Sequence, residues 1–113
     1  MAILGVPFLR EHRLTPVASL SLTKPGASLI LNWSNVPAAT GGYRIYQASS
    51  ASSQTWNSIT NLPAGTTQWT VPADTSLNGS NAFMIKCREL KSNGSGSYHN
   101  LSVGTISNEL NYP

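Results

Sequence analysis

The segment Ser28-Leu29-Ile30-Leu31-Asn32-Trp33-Ser34 constrains the fold of this chain more than any other. Leu29, Leu31 and Trp33 share one face of an extended strand, because side chains alternate about a strand with period two. Tyr43-Arg44-Ile45-Tyr46 begins a second alternating run after a turn built from Pro37, Gly41 and Gly42. A tryptophan on one strand facing apolar residues of another sheet is the core element of a small β-sandwich.

Short apolar runs separated by turn residues continue along the rest of the chain, at the spacing of a sandwich. Val17 to Leu22 reads as a first strand, and Lys24-Pro25-Gly26 turns the chain into the second, Ser28 to Ser34. Tyr43 to Ala48 is the third and Thr55 to Leu62 a weak fourth; Thr67, Trp69 and Val71 alternate through a fifth that Pro72 ends. Asn81 to Leu90 is the sixth, with Phe83, Ile85 and Cys87 on its inner face, and Val103 to Tyr112 is the last. Lys91 to Asn100, rich in Ser, Gly and Asn, reads as a flexible hairpin loop. No segment sustains a 3.6-residue apolar period, so helix is expected to be nearly absent. The expectation is an all-β, seven-stranded sandwich over residues 15–113, preceded by an N-terminal arm over residues 1–14.

A chain of 113 residues can bury one core without staples. Only 10% of its residues are charged, against roughly 25% in ordinary soluble domains. Ser, Thr, Asn and Gly fill the surface instead, which leaves strand edges with little electrostatic protection. The net charge of +3 rests on few residues: Lys86, Arg88 and Lys91 near one strand, Arg10 and Arg13 near the N-terminus. No basic run is interleaved with aromatic residues, the pattern a nucleic-acid groove requires, so no nucleic-acid partner is expected. No apolar run is long enough to span a membrane. The single cysteine, Cys87, cannot form an internal disulfide, and its place in the alternation makes it a small core residue. The first residues lack the basic start and long apolar stretch of a secretory signal, so none is expected.

The residues from Thr15 to Tyr112 resemble a fibronectin type III domain. The resemblance is carried by Pro16 before the first strand, Trp33 at the end of the second and Tyr43-x-Ile45 in the third. Leu77 ahead of Phe83, and Ser107-Asn108-x-Leu110 in the last strand, extend it. It implies an immunoglobulin-like sandwich; a different member of that architecture is the alternative. Two positions depart from the family pattern. Phe83 stands where the tyrosine of the corner motif would hydrogen-bond back to the backbone, and Glu89 replaces a small apolar residue, so the sixth strand is expected to leave the core early. Such sandwiches host many unrelated functions, so the resemblance implies a fold and little chemistry.

The reactive inventory is small. The acids are Glu11, Asp74, Glu89 and Glu109, and the histidines are His12 and His99. Ser97, His99 and Asp74 compose a triad on paper, but the expected fold puts Asp74 at the opposite end of the sandwich from the loop carrying His99, and a triad needs mutual contact. Two histidines and an interior cysteine do not make a zinc site, and Asp74 with Asn78 is too sparse for calcium. No glycine-rich phosphate loop opens a helix. No catalytic residue, cofactor or metal is therefore assigned. Asn-x-Ser/Thr triplets at Asn32, Asn78, Asn93 and Asn100 are expected by chance in a chain this rich in Asn and Ser.

Two regions suit binding. The arm gathers Ile3, Leu4, Val6, Phe8, Leu9 and Leu14 with Arg10 and Arg13; it can fill a groove on a neighbour or fold back on its own domain, and both readings stay open. The loop supplies Ser97, Tyr98, His99 and Asn100, an aromatic anchor among adaptable polar groups. Trp56 and Tyr46 offer an aromatic patch for a sugar, unless Trp56 covers the sheet edge. The candidate partner-binding residues are Phe8, Leu9, Arg10, Arg13, Leu14, Tyr98 and His99. The surface composition resembles that of tail, fibre and capsid-decorating proteins of tailed bacteriophages. The expected function is that of a non-enzymatic structural or interaction protein, a virion component at the capsid, neck or tail. Such a protein would dock through the arm onto other virion proteins, in multiple copies that make weak contacts sufficient. The alternative is a carbohydrate- or protein-binding module of a bacterial secreted or surface protein, meeting glycans through its loops.

Overall fold

The computed structural model describes residues 14–72, 77–93 and 96–112. They form strands β1 (Leu20–Thr23), β2 (Ile30–Trp33), β3 (Gly42–Ala48), β4 (Asn57–Leu62), β5 (Gln68–Thr70), β6 (Gly79–Asn93), β7 (Gly96–Leu101), β8 (Thr105–Ile106) and β9 (Leu110–Tyr112). No α-helix occurs among the described residues. One sheet has the order β1-β2-β5; the other has the order β4-β3-β6-β7, with β8 and β9 also paired to β6. Every pairing is antiparallel.

Alternation puts the expected residues between the sheets. Leu20, Leu22, Leu29, Leu31 and Trp33 from the smaller sheet meet Tyr43, Ile45, Phe83, Ile85 and Cys87 from the larger. The Trp33 and Tyr43 rings meet edge-on with centroids 5.6 Å apart, a favoured arrangement for two aromatic quadrupoles. The Tyr43 hydroxyl donates to Asn35 Oδ1 at 2.8 Å and accepts the Val36 amide at 2.7 Å, pinning the loop after β2. Gly42 turns into β3 with φ of 92°, and the Leu62 backbone packs where its side chain would be. Both conditions admit only glycine.

The strand count differs from seven because the last segment is broken twice. Ser102 and Ser107 lie buried at the two breaks. Their hydroxyls accept the amides of Cys87 and Phe83, while their own amides donate to the Cys87 and Phe83 carbonyls. A side-chain oxygen thus stands where the ladder would use a backbone carbonyl. The chain steps out of register at each serine, and β7, β8 and β9 result.

The expected flexible loop after the sixth strand is also ordered strand. β6 continues to Asn93 and pairs with β7 from Arg88↔Leu101 to Asn93↔Gly96; residues 94–95, at the tip, lie outside the described residues. Departure from the core at Glu89 is seen, since the pairing of β6 with β3 ends at Gly42↔Arg88. The strand itself goes on.

Candidate functional site

The two lateral edges of the sandwich are finished differently. On the side of β8 and β9, the Asn108 side chain mimics a ladder: its Nδ2 donates to the Leu22 carbonyl and its Oδ1 accepts the Leu22 amide, both at 2.9 Å. Thr105 Oγ1 donates to the Val17 carbonyl at 2.6 Å. These bonds tie the smaller sheet and its entry segment to the larger sheet. On the side of β4 and β5 the sheets part, leaving a cavity of about 290 Å³ walled by Ile59, Trp69, Val71, Pro72 and Leu77. Ile59 reaches it through a register shift, because Ile45 pairs with Thr60 and Tyr46 with Ser58. The residue between is left without a cross-strand partner, as in a bulge.

A buried polar centre closes the corner before β6. Asn81, 1% exposed, donates through Nδ2 to the Leu77 and Gly79 carbonyls and accepts Gln47 Nε2 at 2.7 Å. Nothing in the sequence singled it out, since an asparagine near a turn reads as solvated.

Strand β6 organises the surface. With Phe83, Ile85 and Cys87 buried, Met84, Lys86, Arg88 and Leu90 face away from the core. Arg88 Nη1 donates to the Gly41 carbonyl at 3.1 Å, and the Gly41 amide donates to the Arg88 carbonyl at 2.8 Å. Arg88 Nε is buried without a partner. The His99 ring lies over Gly41, so near that a side chain there would meet its Cδ2 at 2.6 Å. Thr40 Oγ1 accepts the Leu90 amide at 3.1 Å. The loop ahead of β3 thereby braces the base of the β6–β7 hairpin.

Of the candidate partner-binding residues, Phe8, Leu9, Arg10 and Arg13 lie outside the described residues. Leu14 is 3% exposed and belongs to the domain's own core cluster. Tyr98 and His99 sit one after the other on β7, so their side chains take opposite faces of the hairpin. Tyr98 is 55% exposed beside Lys91, its cross-strand partner; His99 pairs with Leu90. The Trp56–Tyr46 patch is occupied from within: Trp56 Nε1 donates to the Ser53 carbonyl at 2.9 Å, and Lys86 Nζ lies 5.2 Å above the Tyr46 ring.

Burial pushes the Cys87 thiol above its ordinary range, opposite to the shift that makes a thiolate nucleophile. Burial likewise raises the Tyr43 hydroxyl. Asp74, the acid of the paper triad, lies outside the described residues. Among the described residues no three His, Cys, Asp or Glu side chains gather, and no helix is long and apolar enough to cross a membrane.

No family model matches the chain, and no curated protein is significantly similar to it.

Proposed function

We propose that this chain is a non-enzymatic structural or interaction protein on a fibronectin type III-like sandwich, and that it serves as a virion component at the capsid, neck or tail. One observation carries the docking reading. The β6–β7 hairpin runs past the last β3 pairing and bears exposed apolar side chains on both faces, Leu90 on one and Tyr98 on the other, with Leu101 at its base on the face of Leu90. Apolar groups on a hairpin that projects beyond the core contribute little to folding, and neighbouring exposed ones such as Leu90 and Leu101 are characteristic of contact surfaces. Val17 is bonded to Thr105 of β8, which pairs with β6 as β7 does.

Leu14 is buried in the domain's own core cluster, so the variant that tests the arm keeps it. The test is a chain beginning at Leu14, assayed for incorporation into particles beside the full-length chain. Loss of incorporation with an unchanged melting temperature is expected; full incorporation would contradict docking through the arm. Saturable glycan binding that Tyr98→Ala removes would instead establish the carbohydrate-binding alternative.

A further inference from the structure

The outward face of the larger sheet has an arrangement that folding does not require. Register aligns its side chains in rows across the strands. Tyr46, Met84 and Ile106 form one row, because Tyr46 pairs with Met84 and Met84 with Ile106. Arg44 and Lys86 form the next. Arg88 and Leu101 follow, then Leu90 and His99. Rows of the same face lie about 7 Å apart along the strand. A cationic band of Arg44 and Lys86, with Arg88 held to the Gly41 carbonyl at its margin, is thus bordered by apolar side chains above and below. Ile106, Leu90 and Leu101 are all exposed.

Arg44 stands directly opposite Lys86, with Cβ atoms about 5 Å apart, and like charges so placed destabilise a sheet. No carboxylate relieves them among the described residues. Glu89 is on the other face, where it bridges Lys91 at 3.4 Å. Glu109 groups with Ser80 and Asn111, at the far end of β6, about 20 Å along the strand from Lys86. The available neutral partners are taken up modestly: Arg44 Nε donates to Asn61 Oδ1 at 3.0 Å, and Lys86 leans over Tyr46. In a chain with so few charges, this pair is a standing cost that no anion among the described residues offsets.

We infer that this face docks a protein partner that presents carboxylates flanked by aliphatic side chains. Charge complementarity selects the anion, and the apolar rows select a protein. A sulfated glycan or a nucleic acid would satisfy the cationic band and leave Ile106, Leu90 and Leu101 uncovered. Carboxylates suit the guanidinium groups, which bind them through charge-assisted hydrogen bonds. The face is built from described residues of the sheet and does not depend on the arm. Failure of the arm test therefore leaves this inference standing, and the converse also holds.

The probe is a soluble peptide alternating Leu and Glu, titrated into the full chain while backbone amide shifts are followed. Poly-glutamate, a sulfated polysaccharide and a single-stranded oligonucleotide are run in parallel. Saturable binding of the Leu–Glu peptide is expected, with shifts concentrated at Arg44, Lys86, Arg88 and Ile106, and several-fold tighter than poly-glutamate. Raising salt from about 50 mM to about 500 mM should weaken it roughly tenfold, since exposed charges are screened. Arg44→Glu should reduce binding about tenfold or more and, by pairing with Lys86, raise the melting temperature by about 1–4 °C. Lys86→Gln should reduce binding without depending on that new pair. No saturable binding, tighter binding of the polysaccharide or the oligonucleotide, or full binding by both variants would overturn the inference.

Discussion

From Ala82 to Arg88, strand β6 is paired with β3 over the core; from Glu89 to Asn93 its only strand neighbour is β7, with Thr40 bracing it at Leu90. Residues of the first stretch that face inward are wholly buried, Phe83, Ile85 and Cys87 among them. In the second, Leu90 is 52% exposed and Glu89 and Lys91 neutralise each other at the surface. The same strand thus serves as scaffold over one half and as a projecting surface over the other. The strand itself is continuous across both. What changes is the apolar area removed from water, which dominates the stability of a small sheet protein. Substitutions along one strand should therefore separate folding from binding.

The largest contrast is between Phe83 and Leu90. Phe83→Ala should lower unfolding free energy by about 3–5 kcal/mol, by lost transfer energy and the cavity left behind; urea denaturation measures it. If Phe83→Ala cost no more than a surface change, β6 would not be the spine of the core. Next in size is Asn81→Ala, expected to cost about 1–3 kcal/mol, because it strands the Leu77 and Gly79 carbonyls and the Gln47 amide. Alkaline pH should weaken the scaffold half further. Tyr43 and Cys87 both hold their protons more tightly when folded. The unfolded chain therefore releases them at lower pH, so stability is full below about pH 9 and falls as pH rises through the raised values. A pH series of melting temperatures on the wild type and on Tyr43→Phe would show the tyrosine part disappear. The smallest effects belong to the hairpin: Leu90→Ala and Tyr98→Ala should each stay within about 0.5 kcal/mol of the parent.

How this division was legible follows from the same physics. Leu29, Leu31, Trp33, Tyr43, Ile45, Phe83 and Ile85 announced the core because burial of one face imposes alternation on an apolar sequence. The hairpin was not legible, because neither face of Ser92, Ser97 or Asn100 needs to be apolar, and its strand pairing is fixed by backbone bonds that any residue can make. The hydrogen-bonding roles of Asn81, Ser102, Ser107 and Asn108 were not legible for a related reason, although Ser107 and Asn108 entered the family resemblance: a side chain that substitutes for backbone in a ladder has no periodicity. Lys86, Arg88 and Lys91 read as one basic group along the chain. Alternation sends Lys91 to the opposite face, and register brings Arg44 from β3 to Lys86. The arm's Phe8, Leu9, Arg10 and Arg13 lie outside the described residues, so their reading still rests on the sequence alone.

The most direct test of the scaffold–surface division is a variant in which residues 90–99 are replaced by an Asn-Gly turn joining Glu89 to Asn100, which are paired across the hairpin. Its melting temperature and its affinity for the Leu–Glu peptide are measured together. A melting temperature within about 5 °C of the parent is expected, with a several-fold loss of affinity, because the row of Leu90 and His99 is gone. Unfolding of the variant, or retention of full affinity, would contradict that division.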